Sequence, residues 1–333
     1  MKICNRCILP ESFPGISFDD QGICNHCQRD QSTETTISEK KAGYRDRLDQ
    51  LIAESRGKSP SYDVIMAYSG GKDSSYTLKL LREEYDLRVL ALVFDNHFVS
   101  PAAWENINRV TDRLDVDQIR FRPPWSIAKR MFSLSATEDI FPAPTLLRAS
   151  SICTCCIGLV KSIVLKTSLE MAIPLVAFGW SPGQAPIQAA IMKTNPALFR
   201  QTQAALKKGI PPDLTGRIEQ YFIPDSYYDQ YKTGFPHNIH PLAFFDYDEE
   251  KILIQLETMG WRSPQDTDTN SSNCLLNALA NLCHIKRHNF HPYVWEIANM
   301  VRQGIVDRDE GIEKIYTDQN QEMIEYARER LEI

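Results

Sequence analysis

The sequence predicts an α/β protein built on a doubly wound parallel sheet, with a small cysteine-bearing unit before it and a mostly helical region after it. Three observations carry that prediction. Short apolar runs alternate with segments of helical spacing between residues 61 and 180, as a parallel sheet covered on both faces requires. The run from Val64 to Tyr68 leads straight into Ser69-Gly70-Gly71-Lys72-Asp73-Ser74 and then into apolar positions at helical spacing: strand, glycine loop, helix. From Asp248 onward helical spacing dominates. The chain has 333 residues, 43% of them hydrophobic and 24% charged, which is enough for one large domain or two ordinary ones.

The elements follow in order. Residues 1–30 form the cysteine-bearing unit. Residues 31–60 are polar and charge-rich, and Tyr44, Leu48, Leu51 and Ile52 give the part from Glu39 to Ser55 helical spacing, so this segment is a helical linker. The main domain spans 61–247. After the first strand and the helix that ends near Glu84, Arg88 to Phe94 forms a second buried strand, closed by Asp95-Asn96-His97. Ala102 to Leu114 forms a helix. Gln118 to Arg122 is a short third strand, stopped by Pro123-Pro124. Gly158 to Met171 is a helix and Ile173 to Phe178 a further strand, ending in Gly179-Trp180-Ser181. The pattern weakens from Ser181 to Tyr247. There the stretch from Gln184 to Tyr231, with Lys193, Arg200, Lys207 and Lys208, is placed to cover the active site. Residues 248–333 carry helices from about Asp248, from Asn273 to His288, from Tyr293 to Arg302, and from Arg308 to about Arg330.

The glycine loop is a phosphate site by its chemistry. Glycines let the backbone turn tightly and approach a ligand. Free N–H groups at a helix start favour phosphate. Ser69 and Ser74 can donate hydroxyls, and Lys72 supplies a point charge. Asp73 cannot bind phosphate directly, so it points to magnesium. In open α/β sheets ligands sit outside the carboxyl ends of the strands. That places Phe94, Asp95, Asn96 and Gly179 along the same crevice.

The nine cysteines divide into two groups and one leftover. Cys4, Cys7, Cys24 and Cys27 form two CxxC pairs whose spacing suits tetrahedral zinc, with His26 a bystander. Cys153 and Cys156 form a third CxxC just before the predicted helix at Gly158, where a helix dipole stabilises thiolates. Cys274 follows Thr269-Asn270-Ser271-Ser272-Asn273, rich in helix-capping residues, and is expected to open the helix from there. It is the expected third partner of Cys153 and Cys156. Cys283, half a turn around that helix, belongs to the core. Three cysteines around an iron–sulfur cluster would leave one iron free to hold sulfide.

The net charge of −6 shows no basic footprint of a nucleic-acid protein. It favours a small-molecule substrate and leaves tRNA to a local patch such as Arg120/Arg122. No stretch of the sequence reads as a membrane span or a secretory leader, so the expected location is the cytoplasm.

The SGGKDS loop resembles the SGGxDS signature of the PP-loop ATP pyrophosphatases, over about residues 60–180. The resemblance implies a HUP-like doubly wound sheet, ATP cleaved between the α and β phosphates, and an adenylated intermediate. It implies that the end of the second strand lies against adenine and ribose, and that Lys72 and Asp73 serve catalysis. CTCCIGLVK resembles the CxxCGxxK segment of PP-loop tRNA thiolation enzymes, which carry a 4Fe–4S cluster. This carries over to Cys153, Cys156, Cys274 and the lysine, Lys161. The glycine stands one position late, after Ile157, and the chain lacks a C-terminal CxxC pair. A second resemblance competes. CNRCILPESFPGISFDDQGICNHC, AYSGGKDSS and the segment from Asn273 to Gly304 are similar to the N-acetyl sugar amidotransferases of surface-polysaccharide synthesis. Those take ammonia from a glutaminase partner and leave the internal cysteines without a role. The first resemblance calls for a sulfur donor instead, and PP-loop enzymes often form homodimers. The cofactors expected are ATP, Mg²⁺, Zn²⁺ and a 4Fe–4S cluster. A protein that binds ATP without turnover is the remaining, non-enzymatic alternative.

Overall fold

The computed structural model describes residues 1–30, 34–184, 186–208, 210, 212–268 and 271–333. Among them six strands form one sheet: β1 (Val64–Tyr68), β2 (Val89–Phe94), β3 (Asp117–Phe121), β4 (Leu175–Phe178), β5 (Ile191–Lys193) and β6 (His237–Ile239), in the order β3-β2-β1-β4-β6-β5. β5 runs antiparallel to β6, and every other pairing is parallel. The doubly wound α/β class expected from the sequence is the fold the chain adopts, with an antiparallel strand on one edge.

The apolar runs explain which strands are central. VLALVF of β2 is buried at every position, and VIMAY of β1 at four of five. β3 carries charge and is mostly open, as suits an edge strand. Side chains alternate between the faces. Met66, Tyr68, Ala91 and Val93 pack with Leu78, Leu81, Val110 and Trp261 on one side. Ile65, Leu92, Phe94 and Val176 pack with Leu159, Ile163 and Val164 on the other. That second face is covered by the helix Ser151–Glu170. This helix is long and apolar enough to cross a membrane, unlike anything expected from the sequence, but half of it is buried inside the fold.

Several boundaries differ from the prediction. The Ser151–Glu170 helix starts seven residues before Gly158, because Ser150 caps it by accepting from the Cys153 N–H at 3.1 Å. The helix expected from Asn273 begins at Asn277. The final helix is two, Arg308–Tyr316 and Gln321–Leu331, with Asn320 capping the second. β5 and β6 are three residues long each, too short to show periodicity.

The chain runs outward from β1 to β2 and β3, then returns to the other side of β1 as β4. The topological switch therefore lies above β1 and β4, where the glycine loop and Gly179 sit. The N-terminal unit packs on the helices Val294–Arg302 and Arg308–Tyr316, sharing one core that includes Phe13, Phe290, Ile297 and Ile315.

Candidate active site

The glycine loop is held by close packing. Gly70 has φ 75°, and a Cβ there would lie 2.6 Å from Ile107 Cγ1. The Trp261 indole N–H donates to Gly70 O at 2.9 Å. Gly179 closes the other side: a Cβ on it would stand 2.4 Å from Ser74 Cα. Its requirement is backbone approach between β4 and the loop. Ser69 Oγ and Ser74 Oγ lie 3.0 Å apart, and Ser74 Oγ donates to Gly71 O at 3.0 Å. The helix Lys72–Lys79 has Gly71 as its N-cap with no side-chain cap; the Lys72 N–H goes to Ser272, and the N–H groups that follow it in the first turn face the anion position.

Asp73 and Lys72 face a cavity of about 400 Å³ above the loop. Asp73 accepts a hydrogen bond from Tyr247 OH at 2.8 Å. Lys72 Nζ lies 3.0 Å from Glu249 and 3.7 Å from Asp73. Burial pushes the Glu249 carboxyl up, but Lys72 and Lys314 outweigh it and hold the carboxyl low. Ser272 accepts from the Lys72 N–H at 3.1 Å. Sequence reasoning missed Tyr247, Glu249 and Ser272, since they come from the C-terminal third and carry no motif. Asp73, Glu249 and Asp268 give the cavity carboxylate oxygens, the donors a magnesium ion takes.

The end of β2 divides its residues differently from the expectation. Phe94 is buried and stacks on Phe121 at 6.2 Å, so it is core. Asp95 accepts from the His97 N–H at 2.8 Å and pairs with Arg122 at 3.3 Å, which fixes a turn with His97 at φ 70°. Asn96 points at sulfur. Its amide nitrogen lies 3.4 Å from Cys274 Sγ and 3.9 Å from Cys156 Sγ.

Cys156 and Cys274 meet at the Asn96 amide, and Cys153 lies one helical turn before Cys156. Each of the other two sulfurs is near enough to Cys274 for its charge to raise their pKa values. Cys153 and Cys156 stand one turn apart within the Ser151–Glu170 helix, rather than before a helix. Cys274 sits in a bridge opposite Val99, with the Leu275 N–H donating to Phe98 O at 2.8 Å; it does not open a helix. The segment that carries Cys274 is thereby fastened to the segment that carries Asn96. The expected dipole-stabilised thiolates are overturned: burial pushes Cys153 up to about 11, Cys156 well above its ordinary value and Cys274 upward. Without a cation these three are thiols. Cys155, on the opposite side of the helix, is buried in the core, and Cys283 feels Arg287 and Arg328 rather than the other cysteines.

Lys161, on the same helix, holds its ammonium 4.5 Å from the centre of the Trp180 ring, which stacks on His240 at 4.3 Å. Burial pushes it down to about 8. It borders a second cavity of about 600 Å³. Glu296 borders both cavities, bonded to Ser181 Oγ, and burial raises its carboxyl to about 7.

The N-terminal sulfurs of Cys4, Cys7, Cys24 and Cys27 all lie within 4.8 Å of one another and are fully buried. Cys4–Cys27 and Cys7–Cys24 are 3.9 and 3.8 Å apart. Zinc–sulfur bonds of about 2.3 Å give a tetrahedral edge of about 3.8 Å, so the set fits zinc. His26 stays outside that set and packs edge-on against Trp295 at 4.9 Å.

No protein-family model matches the chain. An uncharacterized protein of Methanocaldococcus jannaschii is 22% identical over 307 residues, covering 92% of this chain and 90% of that protein. Similar solved structures include the U34-tRNA thiolase NcsA from Methanococcus maripaludis with its 4Fe–4S cluster, at 16% identity and a TM-score of 0.35, over 92% of this chain and 87% of that one. A predicted subunit of tRNA methyltransferase from Methanocaldococcus jannaschii matches at 15% and 0.31, over 70% and 90%. The NH₃-dependent NAD synthetase from Campylobacter jejuni matches at 13% and 0.31, over 62% and 98%. At these identities and scores the function has to be read from the residues themselves.

Proposed function

We propose that this protein uses ATP to adenylate an oxygen of an acceptor, releases pyrophosphate, and replaces the activated oxygen with sulfur. The supporting observation is that Cys156 and Cys274 meet beside Asn96, with Cys153 one turn away on the helix of Cys156 and near enough to feel the charge of Cys274, at the carboxyl end of β2 and next to the switch point that carries SGGKDS. In the first step the acceptor oxygen attacks the α-phosphorus and pyrophosphate leaves. The glycine-loop N–H groups, Ser69, Ser74 and Lys72 hold the phosphates, and Asp73 holds magnesium. In the second, a sulfide forms the C–S bond and AMP leaves with the electron pair of the C–O bond. Three cysteine thiols fit an iron–sulfur cluster, whose ligands are thiolates. Such a cluster at Cys153, Cys156 and Cys274 would supply the sulfur atom, drawn from a separate donor.

Amidotransfer with ammonia from a glutaminase is the second reading. One observation favours it: the ribbon packs directly on the helix Val294–Arg302, uniting the two distant segments that resemble the sugar amidotransferases.

Metal and sulfide analysis of protein purified without oxygen separates the two. The sulfur reading expects about one zinc and about four irons per chain. Cys156→Ala should lose the iron and keep the zinc. Zinc alone, even after anaerobic reconstitution, would transfer the assignment to amidotransfer. Under either, Asp73→Ala should keep the fold and weaken magnesium–ATP binding by at least about tenfold, because the carboxylate proposed to hold magnesium is lost.

A further inference from the structure

The cavity of about 600 Å³ beside Lys161 is lined by none of the glycine-loop residues, and its lining is selective. Phe141, Trp180 and Trp295 give it aromatic walls. Lys161 and Arg148 give it two cations, neither within ion-pair distance of a carboxylate among the described residues. Glu296 is its one carboxyl, and the same side chain lines the cavity above the glycine loop. A molecule held here would therefore share Glu296 with the cavity above the glycine loop.

We propose that this cavity is the acceptor site, and that it is built for a small, ring-bearing anion: an unsaturated or sugar ring joined to a phosphate or carboxylate. Calling the ligand the acceptor rests on the ATP-dependent reading above; the site and its ligand chemistry do not.

The volume is that of a small-molecule site. An aromatic wall takes a flat or apolar ring face at little cost in ordering. Lys161 is the decisive group. A desolvated ammonium is normally paired, because burial without a partner is expensive. Here it lies over the face of Trp180, which offers part of that compensation. An anionic ligand would supply the rest. The charge balance points the same way. Lys161 and Arg148 set two basic side chains against one carboxyl, Glu296, whose burial favours its neutral form, so the cavity is net positive. The chain as a whole carries −6, which suits a small anion better than a polyanion needing a broad basic face.

Phenyl phosphate is the simplest probe carrying both features. It should bind the full chain, as read by calorimetry, with and without a non-hydrolysable ATP analogue and magnesium. Inorganic phosphate and phenol should each bind at least about tenfold more weakly, since each lacks one feature. Lys161→Met should weaken phenyl phosphate by about tenfold, the worth of one charge-assisted contact. Trp180→Phe, which keeps a ring against His240, should weaken it less. Iron content and ATP-analogue affinity measured on the same samples report on the sulfur and ATP readings separately, so a failure of either leaves this result interpretable. Three results overturn the proposal: inorganic phosphate binding as tightly as phenyl phosphate, unchanged affinity in Lys161→Met, or full displacement of the probe by the ATP analogue. Competition by bulk tRNA that is lost in Lys161→Met overturns the small-molecule class in favour of RNA.

Discussion

The two cysteine groups use the same atom for opposite ends. In the ribbon four sulfurs come from 24 residues of chain and are fully buried. Backbone N–H groups of Cys7 and Cys24 point at Cys4 Sγ, at 3.5 and 3.2 Å, and that of Cys27 at Cys24 Sγ, at 3.5 Å. Arg308 donates to the carbonyls of Cys4 and Cys7 at 3.0 Å, which ties the ribbon to the C-terminal helices. Such a site is closed, and its metal can only hold structure. The internal group has three sulfurs from segments more than a hundred residues apart, each partly open, with an asparagine amide between two of them. It has fewer ligands than a closed site needs. On the sulfur-transfer reading, a fourth position would be left to chemistry, and that is the difference between the two.

Substituting one cysteine in each group tests that contrast and gives the largest effect. Cys24→Ser should lose the zinc and lower stability by several kcal/mol, since a structural zinc in an isolated finger is worth about 10 kcal/mol or more. Cys156→Ser removes one partly open thiol and should change metal-free stability by only about 1 kcal/mol. Zinc analysis and thermal unfolding of the two variants check this. Equal losses of stability would mean that the internal cysteines are structural as well.

A smaller effect should come from Asn96. Its Oδ1 accepts from the Phe98 N–H at 2.9 Å and holds the turn, while its amide faces Cys156 and Cys274. Asn96→Asp keeps the acceptor and removes the donor. Partners behind metal ligands are typically worth about tenfold or more in affinity. Iron should therefore leave Asn96→Asp about tenfold faster under a chelator, with zinc release unchanged. Equal release from wild type and variant would remove Asn96 from the cluster's surroundings.

The same contrast explains what could be read from the sequence. Cys4, Cys7, Cys24 and Cys27 declare themselves by spacing, because a zinc knuckle is local. The SGGKDS loop does too, since strand, turn and helix follow one another. β1, β2 and β4 were legible because buried parallel strands are continuous apolar runs. Cys274 could be paired with Cys153 and Cys156 by composition, but not placed. Its position depends on a backbone bridge to Val99, and the capping run before it leads into a turn rather than a helix. Tyr247, Glu249 and Glu296 were invisible for the same reason: a tyrosine and two glutamates on a charged helical region carry no signal until the fold brings them over the loop. Phe94 misled because the end of an apolar strand looks alike whether it lines a crevice or fills a core.

The smallest effect expected is the most specific, and it contrasts one cation near each cysteine group. Arg308 beside the ribbon donates to carbonyls, whereas Lys161 on the helix of Cys153 and Cys156 has an aromatic face and, among the described residues, no carboxylate within ion-pair distance. Burial lowers the Lys161 pKa to about 8 from 10.5. A base whose folded pKa is depressed binds fewer protons folded than unfolded across that interval, so stability rises with pH between about 8 and 10.5. Below 8 the folded protein carries a partly desolvated charge. The full shift corresponds to about 3 kcal/mol, and the half-buried position of Lys161 reduces it to the order of 1 kcal/mol. Lys161→Met should therefore be more stable than wild type at pH 7 by that order, with the gap closing by about pH 10.5. Denaturant unfolding at pH 7, 8.5 and 10 measures it. A stabilised variant would show that the lysine is kept at a cost to the fold, as expected of a group that meets an anion. A destabilised one would mean that its contact with Trp180 outweighs its desolvation, and that Lys161 belongs to the packing, as Arg308 does.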